Sequence, residues 1–139
     1  MFKHLDYLKG EVDLQTTSID GTRFYKVPSG DLYPSITSVT SFYNREIFYE
    51  WRKRVGDEKA NKITRESTFS GTKYHDLVEH YLKNEDINKW DNVLPSTKFL
   101  FLQSKKLLDR IDNIHALEKS LYSDYFGLAG RVDCIAEYD

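Results

Sequence analysis

The last stretch of the chain, Leu117–Asp139, constrains the fold most, because it reads as two β-strands around a glycine-containing turn. It places Glu118 at the start of the first strand and Asp133 in the middle of the second. Alternation along the second strand puts Val132, Cys134 and Ala136 on one face and Arg131, Asp133, Ile135 and Glu137 on the other. An aspartate flanked by apolar strand residues is unusual, since carboxylates are rarely buried unless they are paired or bind a metal. The ribbon therefore predicts a polar site built on a β-sheet.

The rest of the chain predicts a small hairpin followed by several helices. The predicted strands are Arg23–Val27 and Leu32–Tyr33; the predicted helices are one capped by Ser35, Arg45–Glu66 with a break at Gly56, one from Ser70 or Thr72 to Leu82, and one from Ser96 to about Asn113. Helical spacing predicts two buried stripes, Phe48, Trp51, Val55, Ala60 and Ile63, and then Leu100, Leu107, Leu108 and Ile111. This order predicts one α+β or mixed α/β domain over residues 1–139.

Composition narrows the setting of the protein without identifying a partner. The 139 residues carry a net charge of −2, so bulk electrostatics does not indicate nucleic acid. The basic run Trp51–Arg54 is flanked by acids, which favours a solvated helix face over a binding patch. The single cysteine, Cys134, fits a small core residue in a reducing compartment. No secretory signal or membrane-length apolar run is seen, and we expect a cytoplasmic protein with no membrane partner.

The helix that ends at Leu82 carries a titratable pair. His75 and Glu79 are four residues apart and therefore share one side of the helix, at the border of its apolar face. A pair in that position faces the seam between the helix and its neighbour, where a site can form.

Each candidate residue also has an interpretation that needs no function. Asp133 can pair with Arg131 on the same strand face, Glu118 can be an exposed acid at a strand edge, and His75 can be a satisfied core or cap histidine. The two interpretations differ in geometry. A functional site requires His75, Glu118 and Asp133 to converge in one small volume.

Three segments carry a resemblance to a known family. Gly71-Thr72-Lys73-Tyr74-His75 resembles the G-T-x-x-H helix of the RecB-type branch of the PD-(D/E)xK nucleases, and Glu118 followed by Gly130-Arg131-Val132-Asp133 resembles the next two motifs. The lead-in, Tyr33-Pro34-Ser35-Ile36-Thr37-Ser38-Val39 with Trp51, Gly56 and Ala60, is similar to that of mitochondrial genome maintenance exonucleases and their phage relatives. The resemblance covers roughly residues 33–139.

The resemblance implies a restriction-endonuclease-like core, with N-terminal helices packed on a mixed sheet that is incomplete at its C-terminal end. It implies that Asp133 binds Mg²⁺ or Mn²⁺, that His75 binds the ion or orients its water, and that Glu118 assists. Gly130 would let its strand pass close to neighbouring backbone. The implied DNA-binding residues are Arg131, Lys73, Ser35 and Thr37. The implied activity is metal-dependent hydrolysis of phosphodiesters at single-stranded or duplex DNA ends, in replication, recombination or repair in a bacterial or phage-infected cell.

The sequence departs from the family after Asp133. The family's (D/E)-x-K motif lies on the following strand, whereas no lysine follows Glu137 or Asp139 here. We therefore expect either an incomplete chain or a degenerate nuclease, with little or no activity in this polypeptide. The alternative functions are a non-catalytic DNA-binding or recombination-accessory module and a helical protein-interaction domain.

Overall fold

Three helices and two antiparallel sheets make up the computed structural model, which describes residues 1–5, 7–8, 13–89 and 93–139. The elements are β1 Gln15–Ile19, β2 Thr22–Lys26, β3 Leu32–Pro34, α1 Ile36–Val55, α2 Asp57–Leu82, a short 3₁₀ helix Ile87–Lys89, α3 Pro95–Leu108, β4 Ile111–Ser123 and β5 Leu128–Tyr138. This confirms the α+β class. The expected single mixed sheet is not observed, because the described strands form two separate sheets in which all pairing is antiparallel.

The first sheet has the order β1-β2-β3. Asp20 and Gly21 join β1 to β2 with positive φ angles of 50° and 78°, as a two-residue hairpin turn requires. The predicted pairing of β2 with β3 is confirmed. The sequence did not indicate β1, because all of its residues are exposed and its polar composition has no alternating apolar face.

Helices α1 and α2 meet at Gly56, whose φ of 86° ends the first helix as predicted. Ser35 caps α1 as expected, since its hydroxyl accepts a hydrogen bond from the Thr37 amide at 3.3 Å. The predicted helix start at Ser70 or Thr72 is wrong, because both residues lie inside α2, which runs without a break from Asp57 to Leu82. Of the predicted stripe only Ala60 is fully buried, and α1 buries none of its residues.

Helix α3 begins with a proline in its first turn and ends at Leu108, before the predicted Asn113. Its fully buried residues are Thr97 and Phe101, whereas Leu100 and Leu107 of the predicted stripe are exposed. Contacts with α2 determine which face of α3 is buried. The ring of Phe101 meets Tyr81 edge-on at 5.3 Å, and the Tyr74 hydroxyl donates to Ser104 Oγ at 2.8 Å.

Strands β4 and β5 form the predicted ribbon around the turn at residues 124–127, where Gly127 has a φ of 60°. Strand β4 begins at Ile111, so Glu118 lies in its middle and not at its start. Two isolated parallel bridges pair ribbon residues with the rest of the chain, Ile114 with His4 and Ala129 with Ser35.

Gly130 lies where the ribbon approaches α1. A Cβ atom at this position would lie 2.9 Å from Cγ2 of Ile36. The close approach expected at Gly130 is present, but the neighbour is a side chain of α1 and not backbone. The core surrounds this junction and the α2–α3 contact, with Tyr25, Val27, Leu77, Leu82, Phe101, Ile114, Ala116 and Ala129 buried. Within the described residues, no helix is both long enough and apolar enough to span a membrane.

Candidate metal centre

His75 brings the two acids of the ribbon together. Its Nε2 atom lies 3.2 Å from Oε1 of Glu118 and 3.2 Å from Oδ1 of Asp133. The three residues come from α2, β4 and β5, so the fold has joined parts of the chain that are distant in sequence. The convergence that a functional site requires is therefore present.

Glu79 is a fourth member of this cluster. It lies one helical turn after His75, and one ligand atom from each of His75, Glu79 and Glu118 falls within 4.8 Å of the others. The i+4 spacing of His75 and Glu79 predicted that the pair faces a seam where a site can form, whereas the site residues implied by the family resemblance did not include Glu79. We call His75, Glu79, Glu118 and Asp133 the acid–histidine cluster.

The backbone at Glu118 is strained. Its φ of +49° lies in the left-handed region, which costs a residue with a Cβ about 1–2 kcal/mol. The other described non-glycine residues with positive φ are Asp20, Asn84 and Asn113, types that tolerate this region. Strained residues of this kind concentrate at functional sites, where the surrounding structure holds them in place.

Two cations bind acids of the cluster. Nε of Arg131 donates to Oε2 of Glu118 at 2.9 Å, and Nζ of Lys83 forms an ion pair with Glu79. Arg131 therefore pairs with Glu118. The interpretation in which Asp133 pairs with Arg131 is wrong. The interpretation of Glu118 as an exposed edge acid is also wrong, because its side chain is only 14% exposed.

Of the four residues implied to bind DNA, only Arg131 contacts the cluster in the part of the chain that the structure describes. Ser35 is buried, and its hydroxyl lies 2.7 Å from that of Thr37 at the start of α1. Lys73 lies over the ring of Phe69, 6.0 Å from its centroid. Arg131 is held against Glu118 in the cluster.

Neighbouring charges shift the pKa values of His75 and Glu79. Partial burial lowers the pKa of His75, but the hydrogen bond to Asp133 and the charges of Glu118, Asp133 and Glu79 outweigh it, so the pKa is raised. The hydrogen bond from Lys83 lowers the pKa of Glu79. The cluster thus favours a cation at the position of His75.

The donor set suits a divalent cation. Neighbouring ligands of an octahedral ion lie about 3 Å apart when metal–ligand bonds are about 2.1 Å. The separations of 3.2 Å from His75 Nε2 to the two carboxylates are close to this spacing. Carboxylates suit Mg²⁺ and Mn²⁺, and an imidazole ligand favours the transition metal. Asp133 is 76% exposed, so the cluster is open to solvent on that side.

The two close carboxylates also fix the protonation of His75 when no metal is bound. A lone pair on Nε2 would face two carboxylate oxygens at 3.2 Å, so Nε2 carries the proton. A metal ligand must offer that lone pair instead. A cation that bound at Nε2 would therefore displace its proton, and its affinity would rise with pH.

Asp13 adds an acid that the sequence did not indicate. It lies 3.8 Å from NH1 of Arg131, and its carboxylate accepts a hydrogen bond from the Ser120 amide at 3.4 Å. The segment before β1 has little pattern, so no signal in the sequence connects Asp13 to the ribbon.

Comparisons of the chain with family models, curated proteins and solved structures found no match.

Proposed function

We propose that the acid–histidine cluster binds Mg²⁺ or Mn²⁺ and is the metal centre of a DNA exonuclease of the RecB-like type, on a restriction-endonuclease-like core. The observation that carries the proposal is the pair of contacts at 3.2 Å that join His75 to Glu118 and to Asp133. The motif order that resembles the family supplies the substrate class, DNA ends.

The chain's own residues have separable roles in this proposal. His75, Glu79 and Glu118 hold the cation from α2 and β4, and Asp133 binds it from β5 at the exposed side, where a phosphate can approach. A bound cation would lower the pKa of a water molecule and polarise the phosphate. Lys83 and Arg131 orient the carboxylates of Glu79 and Glu118 through their ion pairs.

Metal binding is tested by calorimetric titration of Mn²⁺ into the protein and into the variants Glu79→Gln, Glu118→Gln and Asp133→Asn. We expect each variant to weaken binding by at least about tenfold, since even supporting residues of metal sites contribute this much. The matched control is Glu66→Gln on the same helix, whose carboxylate is exposed and pairs with Lys62 at 4.0 Å. Binding that is absent, or that all four variants leave unchanged, would contradict the metal centre.

Hydrolysis is a separate prediction. The six residues after Asp133 include no lysine, which is the residue that positions the attacking water in the family's last motif. We expect the 139-residue chain to bind the cation but to release little or no nucleotide from end-labelled single-stranded or duplex DNA. Mg²⁺-dependent release of nucleotides that Asp133→Ala abolishes would overturn this expectation while supporting the metal centre.

A second candidate function, binding of single-stranded DNA without cleavage, is favoured by helix α1. This helix exposes several aromatic rings, and a basic side chain lies over three of them. The distances to the ring centroids are 3.8 Å from Arg45 to Phe42, 5.3 Å from Lys53 to Tyr49 and 5.9 Å from Arg52 to Phe48. Exposed rings stack on bases, and the neighbouring cations pair with phosphates.

Fluorescence anisotropy of a labelled oligonucleotide in EDTA distinguishes this function. Binding should weaken with added salt. Tyr49→Ala should cost about 1–3 kcal/mol of binding free energy if a base stacks on the ring. Phe99→Ala, which removes an exposed ring of α3, is the control and should leave the affinity unchanged. Failure to bind the oligonucleotide without metal would exclude this function.

A further inference from the structure

The two oxygens of the Glu118 carboxylate face different partners. Oε1 lies 3.2 Å from His75 Nε2, inside the acid–histidine cluster, whereas Oε2 accepts the hydrogen bond from Arg131 Nε at 2.9 Å. In the register of the ribbon, Ser120 is opposite Arg131, so Arg131 and Glu118 are diagonal neighbours across the two strands. The guanidinium group therefore binds the side of the carboxylate that faces away from His75.

Burial makes this pairing necessary when no metal is bound. The Glu118 side chain is 14% exposed, and a carboxylate so far removed from water is costly unless a cation or hydrogen-bond donors compensate. Arg131 is 47% exposed and supplies a charge-assisted hydrogen bond.

Asp13 fixes the arginine from its other side. Its carboxylate lies 3.8 Å from NH1 of Arg131 and is held to β4 by the Ser120 amide. The order Asp13, Arg131, Glu118, His75 thus alternates acidic and basic groups from the N-terminal segment into the cluster. This arrangement places the guanidinium of Arg131 beside the cluster, between two acids.

We propose that Arg131 is the resident counter-cation of Glu118: it stabilises the metal-free cluster and lowers the cluster's affinity for a divalent cation. This rests on the proposed metal centre. A divalent ion bound at Oε1 of Glu118 would share the carboxylate with the guanidinium, and the two like-signed groups repel each other. Arg131 is thus a residue that tunes the site through Glu118 and is not itself a ligand.

The test compares Arg131→Gln and Arg131→Lys with Arg110→Gln as a matched control. Arg110 also donates through its Nε, to the Asp139 backbone carbonyl, but it lies at the opposite end of the ribbon. For each variant, calorimetry gives the Mn²⁺ dissociation constant and thermal unfolding in EDTA gives the metal-free stability.

We expect Arg131→Gln to unfold at a lower temperature without metal and yet to bind Mn²⁺ on the order of tenfold more tightly, because a unit positive charge beside a divalent ion has been removed. Arg131→Lys keeps the charge and should bind Mn²⁺ with an affinity close to that of the unaltered chain. Arg110→Gln should leave the Mn²⁺ affinity unchanged. A residue that only supports the fold would not give opposite effects on stability and affinity.

The failures are distinguishable. If the unaltered chain binds Mn²⁺ and Arg131→Gln binds it equally or more weakly, the counter-cation role is wrong and the metal centre stands. If neither the unaltered chain nor Arg131→Gln binds Mn²⁺, the metal centre and the effect of Arg131 on it both fail. Should Arg131→Gln not fold, a tighter Mn²⁺ complex in Asp13→Lys would contradict the proposal, because this change adds positive charge beside the cluster.

Discussion

His75 is the residue on which the cluster depends, because its single Nε2 atom contacts acids of both ribbon strands. Its raised pKa links the stability of the fold to pH. A group whose pKa is higher in the folded state contributes stability fully below its unfolded pKa, and this contribution is lost as the pH rises through the folded pKa. For His75 the loss therefore begins above the ordinary histidine value of 6.5.

We predict that the metal-free protein exceeds His75→Gln in stability most at about pH 6. The difference should shrink as the pH rises through the raised pKa of His75, since the neutral imidazole no longer attracts Glu118 and Asp133. Urea unfolding of both proteins in EDTA, over a pH series, measures the difference. The remaining histidines are present in both proteins and serve as the internal control. A difference that grows with pH would contradict the raised pKa.

At the level of elements, the ribbon and helix α1 contact each other through Gly130. The side chain of Ile36, the first residue of α1, occupies the space where a Cβ at position 130 would lie. Gly71, inside α2, has no neighbouring atom within 4 Å of the equivalent position among those described. Two glycines of the motifs thus have opposite requirements, which the sequence alone does not distinguish.

Gly130→Ala should destabilise the protein by about 1–3 kcal/mol, because an extra methyl group is forced into occupied space. Gly71→Ala should stabilise it by about 0.5–1 kcal/mol, since alanine favours a helix interior. Chemical unfolding of both variants measures the effects. Adding Ile36→Ala should recover part of the loss in Gly130→Ala, since it removes the Cγ2 atom concerned. Equal effects of the two glycine substitutions would contradict this packing.

Local signals explain which elements the sequence predicted. The hairpin of β2 and β3, the cap at Ser35, the break at Gly56 and the ribbon turn each follow from residues next to them in the chain. The faces of α1 and α3 did not follow, because apolar spacing cannot say which partner is present. Phe101 is buried, and Tyr81 of α2 packs on its ring. Phe48 remains exposed, as do most residues of α1, none of which is buried.

The same distinction holds for the candidate site. The convergence of His75, Glu118 and Asp133 was expected from ordered motifs. The partners of those residues were not: Arg131 reaches Glu118 across the ribbon, and Asp13 reaches Arg131 from a segment without pattern. Such contacts depend on the register of the two strands and on where the N-terminal segment packs, and the spacing of residues in the sequence encodes neither.

On the scale of the whole molecule, the acid–histidine cluster joins α2 to both strands of the ribbon. A cation bound there would link helix α2 to two strands that lie later in the chain. Anything that binds only the folded state stabilises it by mass action.

We predict that Mn²⁺ at a hundred times its dissociation constant raises the free energy of unfolding by about 2.7 kcal/mol. Urea unfolding followed by circular dichroism, with Mn²⁺ or with EDTA, gives the increment. Asp133→Asn should show a smaller increment at the same Mn²⁺ concentration, and Glu66→Gln should show the full increment. An equal increment in Asp133→Asn would mean that the ion binds outside the cluster.

The left-handed backbone at Glu118 has a consequence for protein engineering. Glycine adopts this conformation without the cost that a Cβ brings, so Glu118→Gly would relieve the backbone strain at this position. The same replacement would delete the carboxylate that links His75 to Arg131. A relief of about 1–2 kcal/mol in the backbone would therefore come with the loss of two ion pairs and of the candidate centre, so a library intended to preserve binding must hold position 118 constant.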